Sequence, residues 1–259
     1  MLNRMYAIFF AVAGLATLAW YTAGAQIVED GLVSYWRLDE EKGGEIRDEV
    51  GPNHGTIRGN PKFVEGVSGK ALQFFGRDAV FFENVGFPNG NAATTWSAWF
   101  KRESSAPLSQ YIVTYGQWRG PGGEGFGIGT GHNRADRLFM TQWGPNFDTF
   151  GPDITTFDEW HYVTAVYDGK LHNTLYLNGE VVAEKDLHLK PNVPNNNQGV
   201  IGANTNFDES MEGFIDEVGL YDRALTADEV LQNFNSDIEF GVNPAGKVST
   251  TWGKLKARP

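Results

Sequence analysis

The stretch MEGFIDEVGLYDRAL, from Met211 to Leu225, decides how the rest of this sequence is interpreted. Apolar and glycine residues alternate with other side chains along it, which is typical of a β-strand late in the chain. One acid, Asp216, lies among them, and a carboxylate is costly to bury unless something pairs with it. A bound cation, an arginine such as Arg223 and backbone amides are the three candidate partners.

Short runs of alternating hydrophobicity recur along the whole chain, separated by turn-forming residues. Asn178–Gly179 is the clearest turn, because an Asn-Gly dipeptide between alternating runs favours a β-hairpin. Residues 76–78 are interpreted as another hairpin turn. One helix is predicted near the end, with Thr226 as its N-cap and Glu229 as its capping-box partner. The pattern predicts an all-β, two-sheet antiparallel sandwich with one short C-terminal helix.

Four tracts, in this order, resemble the LamG-like jellyroll domains of the concanavalin A-like lectin/glucanase superfamily. Three are Gly31–Ile57, Gly69–Phe82 and Glu159–Ala183, and the fourth is the closing stretch. Its residues match the family's glycine, aliphatic, Asp-Glu, valine, tyrosine and Arg-Ala-Leu positions at Gly213, Ile215, Asp216–Glu217, Val218, Tyr221 and Arg223–Ala224–Leu225. The resemblance implies a single concanavalin A-like jellyroll over residues 30–237.

The first 25 residues are typical of a secretory signal. Arg4 supplies the positive start, residues 6–20 are apolar, and Ala23-Gly24-Ala25 is a small-residue cleavage site. We therefore expect cleavage before Gln26, no further membrane span, and a protein that is secreted or held at the cell surface. The alternative is an uncleaved anchor, because residues 5–25 are just long enough to span a bilayer.

Composition disfavours several classes of function. The chain has no cysteine, so an exported form has no disulfide, which favours a bacterial-type secreted protein. Without Arg4 the net charge is about −12, which disfavours binding to nucleic acid or anionic lipid. Residues 241–259 contain basic but no acidic residues and predict a flexible basic tail. The alternative for the tail is a sorting or docking peptide centred on Trp252.

The resemblance also implies a metal. Calcium prefers about six to eight oxygen ligands from carboxylates and backbone carbonyls. Related jellyroll domains often hold one structural calcium between an acid on the closing strand and carbonyls of early loops. Carried over to this sequence, the resemblance implicates Asp216, Asp39 or Asp48, and the Gly76 carbonyl. Zinc is disfavoured because the histidines are scattered without ligand spacing and there are no thiols.

Glycoside hydrolysis is disfavoured, although the superfamily includes glucanases. Retaining hydrolysis requires two carboxylates about 5 Å apart, which those enzymes supply from a Glu-x-Asp-x-Glu run on one strand face. The nearest run here, Glu212 to Glu217, is spaced differently. Asp216 and Glu217 are adjacent in a strand, so we expect them to point to opposite faces and not to flank one bond. We therefore predict that the chain is not an enzyme.

Sugar binding is favoured by the loops between Tyr115 and Phe150, which combine aromatic rings with glycines, amides and charges. Sugars bind through a ring against their C–H face and polar groups against their hydroxyls. The predicted ligand-binding residues are Trp118, Arg119, Trp143, Asn146 and Phe147. Trp118 is the best exposed candidate, because the Gly-Pro-Gly-Gly run beside it gives it no strand to pack in. The alternative for Trp143, as for Phe126 and Phe139, is sandwich core.

The preferred function is non-catalytic recognition of an extracellular glycan or glycoprotein. The first alternative is a structural or adhesive surface protein that binds protein partners and is displayed through its tail or an uncleaved anchor. A relative of glycoside hydrolases is the second alternative.

Overall fold

The computed structural model describes residues 26–42, 44–103, 109–116, 123–132, 136–144, 146–194 and 198–236. Within these ranges the chain forms sixteen strands and one helix, which confirms the predicted all-β class. The strands are β1 (Leu32–Lys42), β2 (Glu45–Asp48), β3 (Gly55–Arg58), β4 (Lys62–Glu65), β5 (Lys70–Phe75), β6 (Ala79–Phe82), β7 (Thr94–Arg102), β8 (Gln110–Gly116), β9 (Gly125–Thr130), β10 (Arg137–Thr141), β11 (Thr149–Asp153), β12 (His161–Tyr167), β13 (His172–Leu177), β14 (Glu180–Asp186), β15 (Gly199–Ile201) and β16 (Glu212–Tyr221). The helix is α1 (Ala227–Phe234).

The described strands pair antiparallel along one path, in the order β11-β10-β9-β8-β15-β6-β3-β2-β1-β16-β7-β12-β13-β14. Strands β4 and β5 lie off this path and pair with each other, and β5 also pairs with β16. The two ends of the path, β11 and β14, lie in contact, so the path folds over on itself as a two-layer jellyroll sandwich. Strand β16 contains most of the closing stretch and lies between β1, β5 and β7. This position explains why that stretch carries the strongest fold signal.

Aromatic rings fill the space between the two layers. Trp36 and Trp96 stack with ring centroids 6.3 Å apart, and Phe82 lies 4.4 Å from Trp36. All three side chains are buried, and each such burial stabilises the fold by about 1.5 to 3 kcal/mol. Because this core uses one face of each strand, the other face is left for surface packing and for binding.

The hairpin predicted at Asn178–Gly179 is confirmed. Strands β13 and β14 pair through Asn178 and Gly179, which have φ angles of 51° and 82°. These are the left-handed angles that a two-residue hairpin turn with this sequence requires.

The hairpin predicted at residues 76–78 is wrong. Strand β5 pairs with β4 and β16, whereas β6 pairs with β3 and β15. The turn is instead a corner between layers, where the Asp78 carboxylate accepts hydrogen bonds from the amides of Phe75 and Asn60, both at 2.8 Å. Alternation along a strand identifies the strand but not its partner.

The predicted helix and its capping box are confirmed. The Glu229 amide donates to Thr226 Oγ1 at 3.3 Å, and the Thr226 amide donates to Glu229 Oε2 at 2.8 Å. Val230 is buried, and the Phe234 ring lies 5.6 Å from that of Trp99. Helix α1 therefore covers the outer face of the sheet next to β7.

Candidate functional site

A cavity of about 440 Å³ opens on the outer face of the sheet at β8 and β10. Its lining includes ring, hydroxyl and backbone groups, contributed by Tyr111, His132, Thr141, Trp143 and Gly144. It also includes carboxylates and amides, contributed by Asp148, Asn204, Asn206, Asp208 and Glu209. The volume lies within the range of small-ligand sites, about 300 to 1,000 Å³.

Strand β9, with the sequence GFGIGT, is the floor beneath the rings of this cavity. A Cβ atom on Gly127 would lie 2.9 Å from the Tyr111 ring, and one on Gly125 would lie 2.9 Å from Nε1 of Trp143. Since real Cβ atoms do not approach that closely, glycine at these positions is what allows the rings to lie against the strand. The alternation of glycine with core residues therefore positions the aromatic side of the cavity.

Asp148 is the most buried carboxylate of the cavity, with 4% of its surface exposed. Its Oδ1 accepts a short hydrogen bond from Thr141 Oγ1, and its Oδ2 lies 3.4 Å from His132 Nε2. Burial raises the pKa of Asp148, while Thr141, His132 and Lys185 act in the opposite direction. Thr141 Oγ1 also accepts the Trp143 amide at 2.7 Å, so one network fixes the acid and the aromatic residue together.

The loop from Asn204 to Glu209 forms the polar wall. Asn204 is buried, and its Nδ2 donates to Asp208 Oδ1 at 2.6 Å and to Glu209 Oε2 at 3.0 Å. Phe207, which has a left-handed φ of 64°, packs its ring 4.5 Å from Phe81 and 4.4 Å from the guanidinium of Arg58. A left-handed non-glycine residue is strained, so these contacts hold the wall in place.

Replacing Phe207 by alanine is expected to loosen this wall. Losing the aromatic and cation–π contacts costs about 1 kcal/mol, and amide hydrogen exchange at residues 204–209 should accelerate more than in β16. Phe150→Ala is the matched control, because Phe150 is 38% exposed and contacts a cation, Arg137, but lies outside the loop. Unchanged exchange in the loop of the Phe207 variant would contradict this role.

Of the five predicted ligand-binding residues, the structure describes three, and among these three only Trp143 lines the cavity. Trp118 and Arg119 lie outside the described residues. Trp143 is mostly buried and lines the cavity, with a left-handed φ of 63°. Asn146 is exposed and does not line the cavity. Phe147 is buried in the hydrophobic core, where its ring packs against Gly123.

Sequence reasoning missed most of the cavity, because its residues come from three separated segments. The missed lining residues are Tyr111, His132, Thr141, Asn204, Asn206, Asp208 and Glu209. Two signals pointed towards them. The glycine at every second position of β9 indicates a strand face on which rings can lie, and the Asn- and Asp-rich run from residue 204 indicates a polar loop.

A second cluster of acids lies on the outer face of β16. A bulge between Asp216 and Gly219 inserts one extra residue opposite β7. Ile215 and Val218 both reach the core, so Asp216 and Glu217 between them share the outer face. The expectation that these two acids point to opposite faces is wrong, because the bulge breaks the alternation.

Backbone amides are the main partners of Asp216. Its Oδ2 accepts from the amides of Val67 at 2.8 Å and Ser68 at 3.3 Å, while its buried Oδ1 has only a weak backbone contact from Glu217. Arg223, the arginine alternative, pairs instead with Glu229 at 2.7 Å. Burial raises the pKa of Asp216 to about 7, with a smaller contribution from the charge of Asp39.

Glu217 is buried beside Asp216, with a left-handed φ of 51°. Burial, followed by the charge of Asp216, raises the pKa of Glu217 to about 9. The Tyr35 hydroxyl, which hydrogen-bonds the carboxylate, and Arg37, whose Nε lies 3.7 Å from Oε1, act in the opposite direction. Nε of the same arginine lies 3.1 Å from Asp39 Oδ2. The three acids therefore form one electrostatic cluster around a single arginine.

Two of the four predicted calcium ligands, Asp39 and Asp216, belong to this cluster. Asp48 does not, because its carboxylate accepts the backbone amides of its own turn. The Gly76 amide donates to the Met211 carbonyl, and Met211 lies five residues before Asp216, a separation of about 16 Å in extended chain. In the described part of the chain, no group of three or more His, Cys, Asp or Glu side chains is arranged to hold a metal.

No helix within the described ranges is long and apolar enough to span a membrane.

The family assignment follows from this fold. The family model described as the concanavalin A-like lectin/glucanases superfamily matches residues 75–231, and the chain belongs to that superfamily. No curated protein has significant similarity to the chain.

Solved structures share the fold at low sequence identity. Domain 4 of AbnA, a GH43 extracellular arabinanase from Geobacillus stearothermophilus solved with arabinotriose, is 19% identical, with a TM-score of 0.61 over 79% of this chain and 98% of that one. The binding domain of Paraclostridial Mosquitocidal Protein 1 is 16% identical, with a TM-score of 0.60 over 79% of this chain and 52% of that one. Trypanosoma rangeli sialidase is 14% identical, with a TM-score of 0.58 over 79% of this chain and 32% of that one. At these identities the likeness shows the fold alone.

Proposed function

We propose that this protein is a non-catalytic extracellular binding module that holds a glycan in the cavity between Trp143 and the loop from Asn204 to Glu209. The observation that carries the proposal is the composition of the cavity, whose lining combines aromatic rings with carboxylates and amides. A sugar offers both chemistries at once, because its C–H face packs on rings and its hydroxyls hydrogen-bond to oxygen and nitrogen acceptors and donors. Arabinotriose, present in the AbnA domain structure, is a suitable first ligand to test.

The state of Asp148 favours binding over catalysis by this carboxylate. Hydrolysis requires one carboxylic acid free to protonate the leaving group and a second carboxylate across the scissile bond. The two oxygens of Asp148 already contact Thr141 and His132. Asp216 and Glu217, although they share a face, are buried away from the cavity and do not line it. A carboxylate held in this way serves better as a fixed acceptor for sugar hydroxyls.

The proposal predicts that Asn206→Trp blocks glycan binding without unfolding the protein. Asn206 is exposed and lines the cavity, so a bulky side chain there occupies the space of the ligand. Residues 26–259 are screened on a glycan array that includes arabino-oligosaccharides, with and without calcium, and hits are measured by titration calorimetry. The variant is expected to lose at least about tenfold in affinity, equivalent to about 1.4 kcal/mol, with an unchanged melting temperature.

Arg47→Trp is the matched control. It adds the same side chain at a position that is 63% exposed and does not line the cavity, so it should bind as the wild type does. Glycan binding that survives Asn206→Trp would place the site elsewhere. A blank array in both buffers would overturn the proposal in favour of an adhesive module that binds protein partners, and released sugar products would overturn its non-catalytic part.

The proposal includes one structural calcium on Asp216 and Asp39. The buried Oδ1 of Asp216, which has only a weak backbone contact, supports it, because a carboxylate oxygen in that state gains a partner from a cation. Asp48 and Gly76 do not lie with these acids, so the remaining ligands would come from other oxygens, such as carbonyls of the loop around Val67. When bound, the ion would neutralise charge in the acid cluster and take no part in glycan binding at the cavity.

A further inference from the structure

The described residues that line the cavity carry more negative than positive charge. Three carboxylates line it, those of Asp148, Asp208 and Glu209. Among the lining residues that the structure describes there is no lysine or arginine, and the imidazole of His132 already lies 3.4 Å from Asp148. The described wall of the cavity therefore presents an excess of negative charge to any ligand.

The pKa of the Tyr111 hydroxyl, inside the cavity, is affected by the same excess of negative charge. Tyr111 is 8% exposed, and its pKa is raised first by burial and then by the charges of Glu209, Asp148 and Asp208. All three acids are thus close enough to act on one hydroxyl. Because Tyr111 and the three acids all line the cavity, a ligand bound there is exposed to the same negative charge.

The two acids of the loop are held in place but not neutralised. Asn204 Nδ2 donates to one oxygen of Asp208 and to one oxygen of Glu209, and an amide carries no charge. Asp208 is exposed and Glu209 is partly exposed, so their second oxygens can face a ligand. A fixed pair of carboxylates is a selective element, because bringing a like charge beside it is costly and bringing an opposite charge is favourable.

We infer, on the basis of the proposed function, that the cavity selects glycans by charge. It binds sugars that lack carboxylate, sulfate and phosphate groups, and it binds sugars with a protonated amine more tightly. It rejects uronic and sialic acids. Asp208 and Glu209 are the specificity-determining residues. Tyr111 and Trp143 supply affinity that does not depend on the charge of the sugar.

The test compares three trisaccharides with the same linkage that differ in one substituent: a glucose trimer, a glucosamine trimer and a glucuronic acid trimer, all β-1,4-linked. The best neutral hit of the array is titrated beside them. The wild-type protein is compared with Asp208→Asn/Glu209→Gln, which keeps the size of both side chains and removes both charges. At low salt the glucosamine trimer should bind about tenfold more tightly than the glucose trimer, and about 0.5 M salt should reduce the difference.

In the double variant the amine preference, measured as the ratio of the affinities for the glucosamine and glucose trimers, should fall to less than about threefold, and binding of acidic glycans on the array should appear. One result would overturn the inference and leave the proposed function standing: the wild type binds uronic or sialic acid glycans as tightly as neutral ones, and Asn206→Trp abolishes this binding. Equal selectivity of the wild type and the double variant would do the same. A sugar screen without any hit, including the three trimers, overturns the proposed function and this inference together.

Discussion

Replacing Asp48 by alanine is expected to destabilise the fold by about 3 to 5 kcal/mol, one of the two largest effects predicted for this chain. Its Oδ1 accepts the amides of Tyr35 at 3.0 Å, Val50 at 3.1 Å and Gly51 at 3.0 Å, and its Oδ2 accepts the amide of Asn53 at 3.1 Å. Alanine removes both acceptor oxygens and with them all four hydrogen bonds. The amides of Tyr35 and Asn53 belong to buried residues, so they lose a partner that water does not replace.

Urea unfolding followed by tryptophan fluorescence measures this loss. Asp48→Asn is the control, since it retains one carbonyl oxygen in the Oδ1 position and should lose less than half as much. The loss should be equal in chelator and in millimolar calcium, because Asp48 acts through hydrogen bonds. A calcium-dependent loss would show that Asp48 is a metal ligand after all, and a loss below about 1 kcal/mol would show that the amides find other partners.

Asp48 also illustrates how far the sequence predicts this structure. The turn formers after it correctly predict a loop, and the four tracts of the family pattern correctly predict the jellyroll. Carboxylate chemistry alone is ambiguous, because the same side chain can bind a cation or satisfy the amides of its own turn. Only the register that sets Asp48 opposite Trp36 decides between the two.

The bulge at Glu217 is a second feature that local patterns do not predict. Its neighbours alternate as in any strand, and glutamate has no preference for a left-handed φ. The angle of 51° exists because β16 pairs with both β1 and β7, and the flanking core residues fix the chain on either side. The cavity is similar, because it joins Tyr111 to the loop that begins at Asn204, 93 residues later in the sequence, and the two meet only when β15 lies beside β8.

The acid cluster predicts that, in chelator, the protein becomes less stable as the pH rises. The pKa of Glu217 is raised from 4.5 to about 9 and that of Asp216 from 3.8 to about 7, in both cases mainly by burial. The folded chain therefore binds these protons more tightly than the unfolded chain. The stability they contribute is complete below about pH 4 and is lost as the pH rises towards 9. One pKa unit corresponds to 1.36 kcal/mol, so even a part of these pKa shifts lowers the free energy of unfolding by about 2 kcal/mol or more between pH 5 and 9.

Glu217→Gln should remove much of this pH dependence. Glutamine has the shape of the protonated acid and keeps the same backbone strain, so the variant should match the wild type near pH 5 and be more stable by about 1 to 3 kcal/mol at pH 9. Glu40→Gln is the control, because Glu40 is exposed and its replacement should leave the profile unchanged. Urea midpoints between pH 5 and 9 measure the effect, and a wild-type profile that rises with pH would contradict the protonated cluster.

Millimolar calcium distinguishes neutralisation of the acid cluster by a bound cation from neutralisation by protons. A cation that binds only the folded state raises the melting temperature, and it competes with protons for Asp216. If the proposed calcium binds, the wild type should gain stability at pH 8 and lose most of its pH dependence, and Asp216→Asn should gain nothing. Equal melting temperatures in calcium and in chelator would remove calcium from the proposal. Protonation of Glu217 and Asp216 would then be what lowers the free-energy cost of burying the two side chains.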